Sequence, residues 1–160
     1  KFNDERGFFA RSFCQKEFKE HGLESNFVQC NISHNDKKGT LRGMHYQDYP
    51  HEEAKLIKCT AGRIYDVIVD LRKDSPSFKK YFSIELDSDD QKMLYVPKGF
   101  AHGFVTLSDK ADVFYQMSEF YEPTAARGVR WNDPAFGINW PHDVSVISEK
   151  DESYPDFSIK

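Results

Sequence analysis

Hydrophobic and polar positions along this chain alternate in short runs, and most runs end within a few residues at glycine, proline or an acidic turn. The clearest is RIYDVIVDL, residues 63–71, where Tyr65, Val67, Val69 and Leu71 fall on one face and Asp66 and Asp70 on the other. A period of two is that of a strand. The same reading predicts strands over 27–33, 40–47, 54–60, 81–86, 92–97, 103–107 and 112–120, with polar turns at 34–39, 74–76 and 87–90 between them. Residues 14–21, CQKEFKEH, predict a short helix with Phe18 facing inward and Gly22 as its stop. Ahead of it, DERGFF (4–9) reads as a charged turn running into an apolar pair. After Pro123 the pattern lapses into WNDP, NWP and SEKDESYPDF, whose Trp and Pro predict an ordered tail, irregular or helical, packed on the strands. Asp133 reads as a turn-forming residue before Pro134.

Many short strands with little helical periodicity predict an all-β sandwich or barrel. No repeat, low-complexity tract or linker divides the 160 residues, so the expectation is one domain over 1–160. The 14 Phe and 8 Tyr suit a β-rich core. A net charge of −4 argues against a general nucleic-acid binder. Cys14, Cys30 and Cys59 are odd in number and widely spaced, which gives neither a zinc pattern nor a disulfide framework and predicts a reducing, cytoplasmic setting. No signal peptide or membrane-spanning apolar run is visible. The chain opens at Lys1 without an initiator Met, so trimming of an upstream segment is expected.

Candidate chemistry concentrates in GTLRGMHYQ, residues 39–47, where Arg42 and His45 stand three positions apart. A guanidinium grips phosphate or carboxylate in a planar fork. An imidazole takes and returns protons near neutral pH. Together they suggest a site for a small anionic substrate. On this nonapeptide alone, a strand with a structural Arg and a buried His is an equal reading.

A set of segments in fixed order changes that balance: DERGFF (4–9), LRGMHYQ (41–47), AKL (54–56), DVIVDLRKDSP (66–76), PKGFAHGF (97–104), WNDP (131–134), NWP (139–141) and SEKD (148–151). Across nearly the whole chain they resemble the dTDP-4-dehydrorhamnose 3,5-epimerase family. The resemblance implies a cupin-type (jelly-roll) β-barrel and a cofactor-independent reaction with no metal. The family's further N-terminal strand is not in this chain, in keeping with the trimming expected above. The implied substrate is a nucleotide-linked 4-keto-6-deoxyhexose, in which both carbons beside the ketone are inverted. Such an inversion needs a base on one face, a proton donor on the other, and a positive group near the enolate oxygen.

The resemblance assigns these roles. His45, in LRGMHYQ, is similar to the general base, and Asp151, in SEKD, to the carboxylate that orients it. Tyr115 resembles the proton donor, Lys55 the enolate-stabilising ammonium, and His102 a second histidine beside the sugar. Arg42 and Gln29 match diphosphate- and substrate-binding positions, and Tyr121 an aromatic near the nucleotide. Arg6 and Phe2 match residues supplied across a homodimer interface into the neighbour's pocket. Arg11 departs from the family pattern, which carries an acid there; a donor in place of an acceptor bears on nucleobase choice. His21, His34, His51 and His142 receive no role. Rival readings are a mono-epimerase or ketoisomerase on another nucleotide sugar, a non-catalytic sugar-nucleotide module, and a metal cupin built on His45, Gln47, Glu52 and His102. Gln47 is a poor ligand for the last, and Lys55 would repel a dication.

Overall fold

The computed structural model describes residues 1–158 and is a sandwich of two antiparallel sheets. Strands β3 (Gln29–Asn35), β10 (Ala111–Met117), β5 (Lys55–Ala61) and β8 (Leu94–Val96) form one sheet in that order. The other runs β11 (Ala126–Gly128), β4 (Leu41–Gln47), β9 (Phe100–Thr106), β6 (Arg63–Asp70) and β7 (Tyr81–Asp87). This is the all-β, cupin-type jelly roll that the sequence implies. Ile57, Cys59, Val96 and Val113 of the first sheet meet Ile64, Ile68, Leu86 and Phe104 of the second in the core between them. Alternation along each strand puts these residues on the inner face. Among the described residues, no helix is long and apolar enough to cross a membrane.

Strand β6 is buried on both faces. Val67 and Val69 pack outward under the C-terminal tail, where Val129, Phe136, Trp140 and Phe157 cover them. Asp133 anchors the tail: its carboxylate accepts from Ala135 N at 2.8 Å, the expected turn, and from Phe157 N at 2.5 Å. Asp66 and Asp70 take the opposite face, and both are fully buried. Burial works to raise the Asp70 carboxyl, but donors from Arg72, Ser75 and Ser77 prevail and hold it far below the usual range.

Several boundaries differ from the sequence reading. Residues 4–9 belong to a hairpin of β1 (Phe2–Asp4) and β2 (Gly7–Phe9), not to a turn alone. Its side chains are exposed, so no in-out alternation marks it. Strand β3 starts two residues later than expected and β9 three earlier. Strand β11 lies within the tail read as irregular; it borrows its pairing from β4 rather than from its own pattern. Helix α1 (Gln15–Glu20) falls inside the expected span, with Phe18 packed edge-on against Phe13, Phe27 and Tyr95.

One irregularity in β4 builds the site. Arg42 and His45 are three positions apart, which on a regular strand would send them to opposite faces. Arg42 pairs with Phe104 of β9 and His45 with His102, so three steps on β4 match two on β9. The extra residue restores both side chains to the inner face, as a bulge does. Gly43 makes this possible at φ 121°, where its backbone lies against β9: a Cβ would sit 2.5 Å from Gly103 Cα and 2.8 Å from His102 O. Gly43→Ala is therefore expected to cost about 3 kcal/mol or more of stability, read from urea unfolding. An unchanged midpoint would show that the bulge does not need glycine.

Candidate active site

A cavity of about 450 Å³ opens between the sheets, and residues of both line it. From the five-stranded sheet come Arg42, His45 and His102; from the four-stranded sheet come Lys55, Tyr115 and Met117. Tyr121, Tyr154, Arg127 and Lys150 complete the rim.

His45 is oriented from the tail. Its Nε2 lies 2.7 Å from Asp151 Oδ1, while Asp151 Oδ2 accepts from Gly43 N at 3.1 Å. Asp151 reaches this place because Ser148 caps α2 (Glu149–Glu152), its Oγ accepting from Asp151 N at 3.1 Å. Burial would raise the Asp151 carboxyl, but the bonds from His45 and Gly43 outweigh it and hold the group below its ordinary value. An ionised carboxylate takes the Nε2 proton as acceptor and leaves Nδ1 with the lone pair for the substrate. Tyr154 closes over this pair: its ring meets His45 edge to face at 6.1 Å and rests on Gly128, where a Cβ would lie 2.2 Å from the ring.

Opposite, Tyr115 is half-buried, and loss of water raises its phenol, with Arg42 pulling the other way and Glu53 adding to the rise. A phenol so placed stays protonated across the neutral range and can donate. Lys55 is buried; its Nζ lies 2.8 Å from Glu53 Oε1 and donates to His45 O at 3.3 Å. His102 gives Nε2 to Asp66 Oδ1 at 2.6 Å, while among the described residues Asp66 Oδ2 has no hydrogen-bond partner. Arg42 is held by Asn35 Oδ1 at 2.7 Å and His34 O at 3.2 Å, with N–H groups left for an anion at the cavity mouth.

The structure thus brings His45, Asp151, Tyr115, Lys55, Arg42, His102 and Tyr121 to one cavity or its immediate support. Gln29 stands behind it, its Oε1 accepting from Tyr121 N at 3.1 Å. Arg6 and Phe2 lie on the exposed hairpin, away from this cavity, with Arg6 on the carboxylate of Asp4 at 2.6 Å. Arg11 is exposed and pairs with Glu17. His34, given no role from sequence, lines the cavity rim between Asp112 and Asp36, and their carboxylates raise its imidazole above the usual value. Asp66 and Glu53 were missed because charged residues are seldom buried. Their spacing carried a signal: Glu53 and Lys55 are two apart, and Asp66 alternates with buried Ile64 and Ile68.

The metal-cupin reading finds little to build on. Gln47 spends its amide on the carbonyls of His51 and Phe120 and on Glu122 N. Among the described residues, no group of three or more His, Cys, Asp and Glu is placed to hold a metal ion.

Comparison with known proteins bears on the same chemistry. The family model described as dTDP-4-dehydrorhamnose 3,5-epimerase matches residues 1–158. The dTDP-4-dehydrorhamnose 3,5-epimerase of Shigella flexneri is 45% identical over 151 residues, covering 94% of this chain and 83% of its own. The crystal structure of the Bacillus anthracis enzyme of that name, with TDP and PPi bound, superposes with a TM-score of 0.94 at 45% identity, covering 98% of this chain and 89% of that one. The Legionella pneumophila dTDP-6-deoxy-D-glucose-3,5-epimerase, in complex with dTDP-4-keto-L-rhamnose, gives 0.89 at 39% identity, with 96% and 81% covered. On this evidence the chain belongs to the dTDP-4-dehydrorhamnose 3,5-epimerase family.

Proposed function

We propose that this protein inverts carbons 3 and 5 of dTDP-4-dehydro-6-deoxyglucose, giving dTDP-4-dehydrorhamnose. The observation that carries the reading is the two-sided cavity, with an imidazole on one sheet, held by a carboxylate from the tail, and a half-buried phenol on the other sheet. His45 Nδ1 takes the proton from the carbon beside the ketone, and the electron pair moves into the C4 carbonyl as an enolate. Lys55, with His102 near the sugar, faces the oxygen that becomes negative. Tyr115 delivers its proton to the opposite face, and proton exchange with solvent resets both groups before the second carbon reacts. Arg42 holds the diphosphate and Tyr121 lies against the nucleotide, with Gln29 fixing Tyr121. The direct test is NMR identification of the product formed by purified protein. The doubly inverted sugar is expected; a singly inverted or unchanged one contradicts the reading.

We further infer a homodimer acting in the cytoplasm. The hairpin exposes Phe2 and Phe9, 77% and 73% accessible, beside Arg6 and among described strands pairs only within itself. An apolar arm of this kind suits a second copy, where Arg6 and Phe2 would complete the neighbour's site. Light scattering is expected to give twice 18.7 kDa. Mixing inactive His45→Ala with inactive Arg6→Ala chains should restore part of the activity. A monomeric mass, or no restoration, overturns the shared site. The free thiols of Cys14, Cys30 and Cys59 fit a reducing compartment.

A further inference from the structure

Glu53 sits just before β5 with its side chain 3% exposed, beside Lys55 at 8%. Both line the cavity. Its two oxygens are divided: Oε1 lies 2.8 Å from Lys55 Nζ, and Oε2 accepts from Gln47 N at 3.1 Å. Lys55 Nζ in turn donates to His45 O. One carboxylate therefore ties the ammonium of β5 to the β4 backbone that carries the base. A buried ion pair adds little net stability over an apolar pair of equal volume, so stability alone does not account for it.

We infer that Glu53 is a positioning residue, fixing the Lys55 ammonium at the cavity wall and placing a negative charge in the cavity that Tyr115, on the neighbouring strand, also lines. This rests on reading Tyr115 as the proton donor and Lys55 as the enolate's partner. The charged groups acting on the phenol are Glu53, from the segment before β5, and Arg42, from β4; Glu53 raises it and Arg42 lowers it. His45, His102 and Lys55 share the cavity wall. Without Glu53, burial alone would oppose Arg42, and the phenol would lose its proton at lower pH. Lys55 would also lose the partner that holds it at the developing oxyanion, where a misplaced donor costs rate rather than affinity.

Two readouts on Glu53→Gln and Glu53→Asp decide the matter. The first is the carbon NMR titration of ring-labelled tyrosine, with the Tyr115 signal identified by its loss in Tyr115→Phe. The second is kcat and KM for the nucleotide sugar. In Glu53→Gln the Tyr115 midpoint is expected to move to lower pH, and kcat to fall about tenfold or more with KM changed less than about threefold. Glu53→Asp keeps the charge but withdraws it by one methylene, so its midpoint stays near wild type while kcat falls. An unmoved midpoint in Glu53→Gln, or a displaced one in Glu53→Asp, overturns the inference alone. A wild-type chain that inverts no nucleotide sugar overturns the proposed function and this inference with it.

Discussion

Replacing His45 with alanine is expected to lower kcat by about 10³- to 10⁴-fold while the affinity for dTDP changes less than about threefold. The asymmetry follows from where the groups lie. His45 presents Nε2 to Asp151 and lines the cavity, whereas Arg42 draws its support from Asn35 and His34 on β3. Removing the imidazole leaves that guanidinium in place. It also strips Asp151, 5% exposed, of a partner, although Gly43 N still donates to it. A stability loss of about 1–3 kcal/mol should accompany the kinetic one, so rates are to be compared well below the melting temperature. A variant that turns over at the wild-type rate would remove His45 from the chemistry.

Tyr115→Phe is expected to separate proton exchange from inversion. Without the phenol, inverted product should form about 10²- to 10⁴-fold more slowly. The imidazole on the opposite sheet can still take a proton from its own face and return a solvent proton there. In deuterated buffer, the starting sugar should gain deuterium with its configuration retained. Inversion at the wild-type rate would move the donor role elsewhere; loss of exchange along with inversion would mean that the phenol is needed for the first proton removal too. The wild-type pH profile bears on the same group. Because burial raises the phenol, its contribution to rate should persist to a pH above the usual tyrosine value near 10 and fall only beyond it.

Much of this architecture could be read from the chain, for identifiable reasons. The strand over 63–71 shows in its alternation because one face is continuously apolar. What alternation cannot tell is whether the second face meets water. In β6 it meets the sandwich interior, and Asp66 and Asp70 are buried there because His102 and the Arg72–Ser75–Ser77 donors accompany them. Those partners lie far along the chain on the neighbouring strand or in a following turn, so no local pattern announces them. The same limit hid β11, which is strand only by pairing with β4. Arg42 and His45 were conspicuous by type, yet their three-residue spacing denies them a common face unless the strand is irregular. Gly43 between them was the available clue, since glycine inside a strand pattern marks a bulge or a close backbone approach. His34 illustrates the opposite case: the sequence reads it as the start of a polar turn, yet it is a residue of β3, held at the cavity rim beside Asp112 from a strand far along the chain.

The central claim is that one cavity abstracts and returns protons at both carbons flanking the ketone. Proton NMR of the wild-type protein with dTDP-4-dehydro-6-deoxyglucose in deuterated buffer tests it most directly. The account predicts that the signals of both flanking hydrogens disappear, with deuterium found at carbons 3 and 5 of the inverted product. Deuterium at one carbon only, or at neither while the nucleotide sugar still binds, would contradict it.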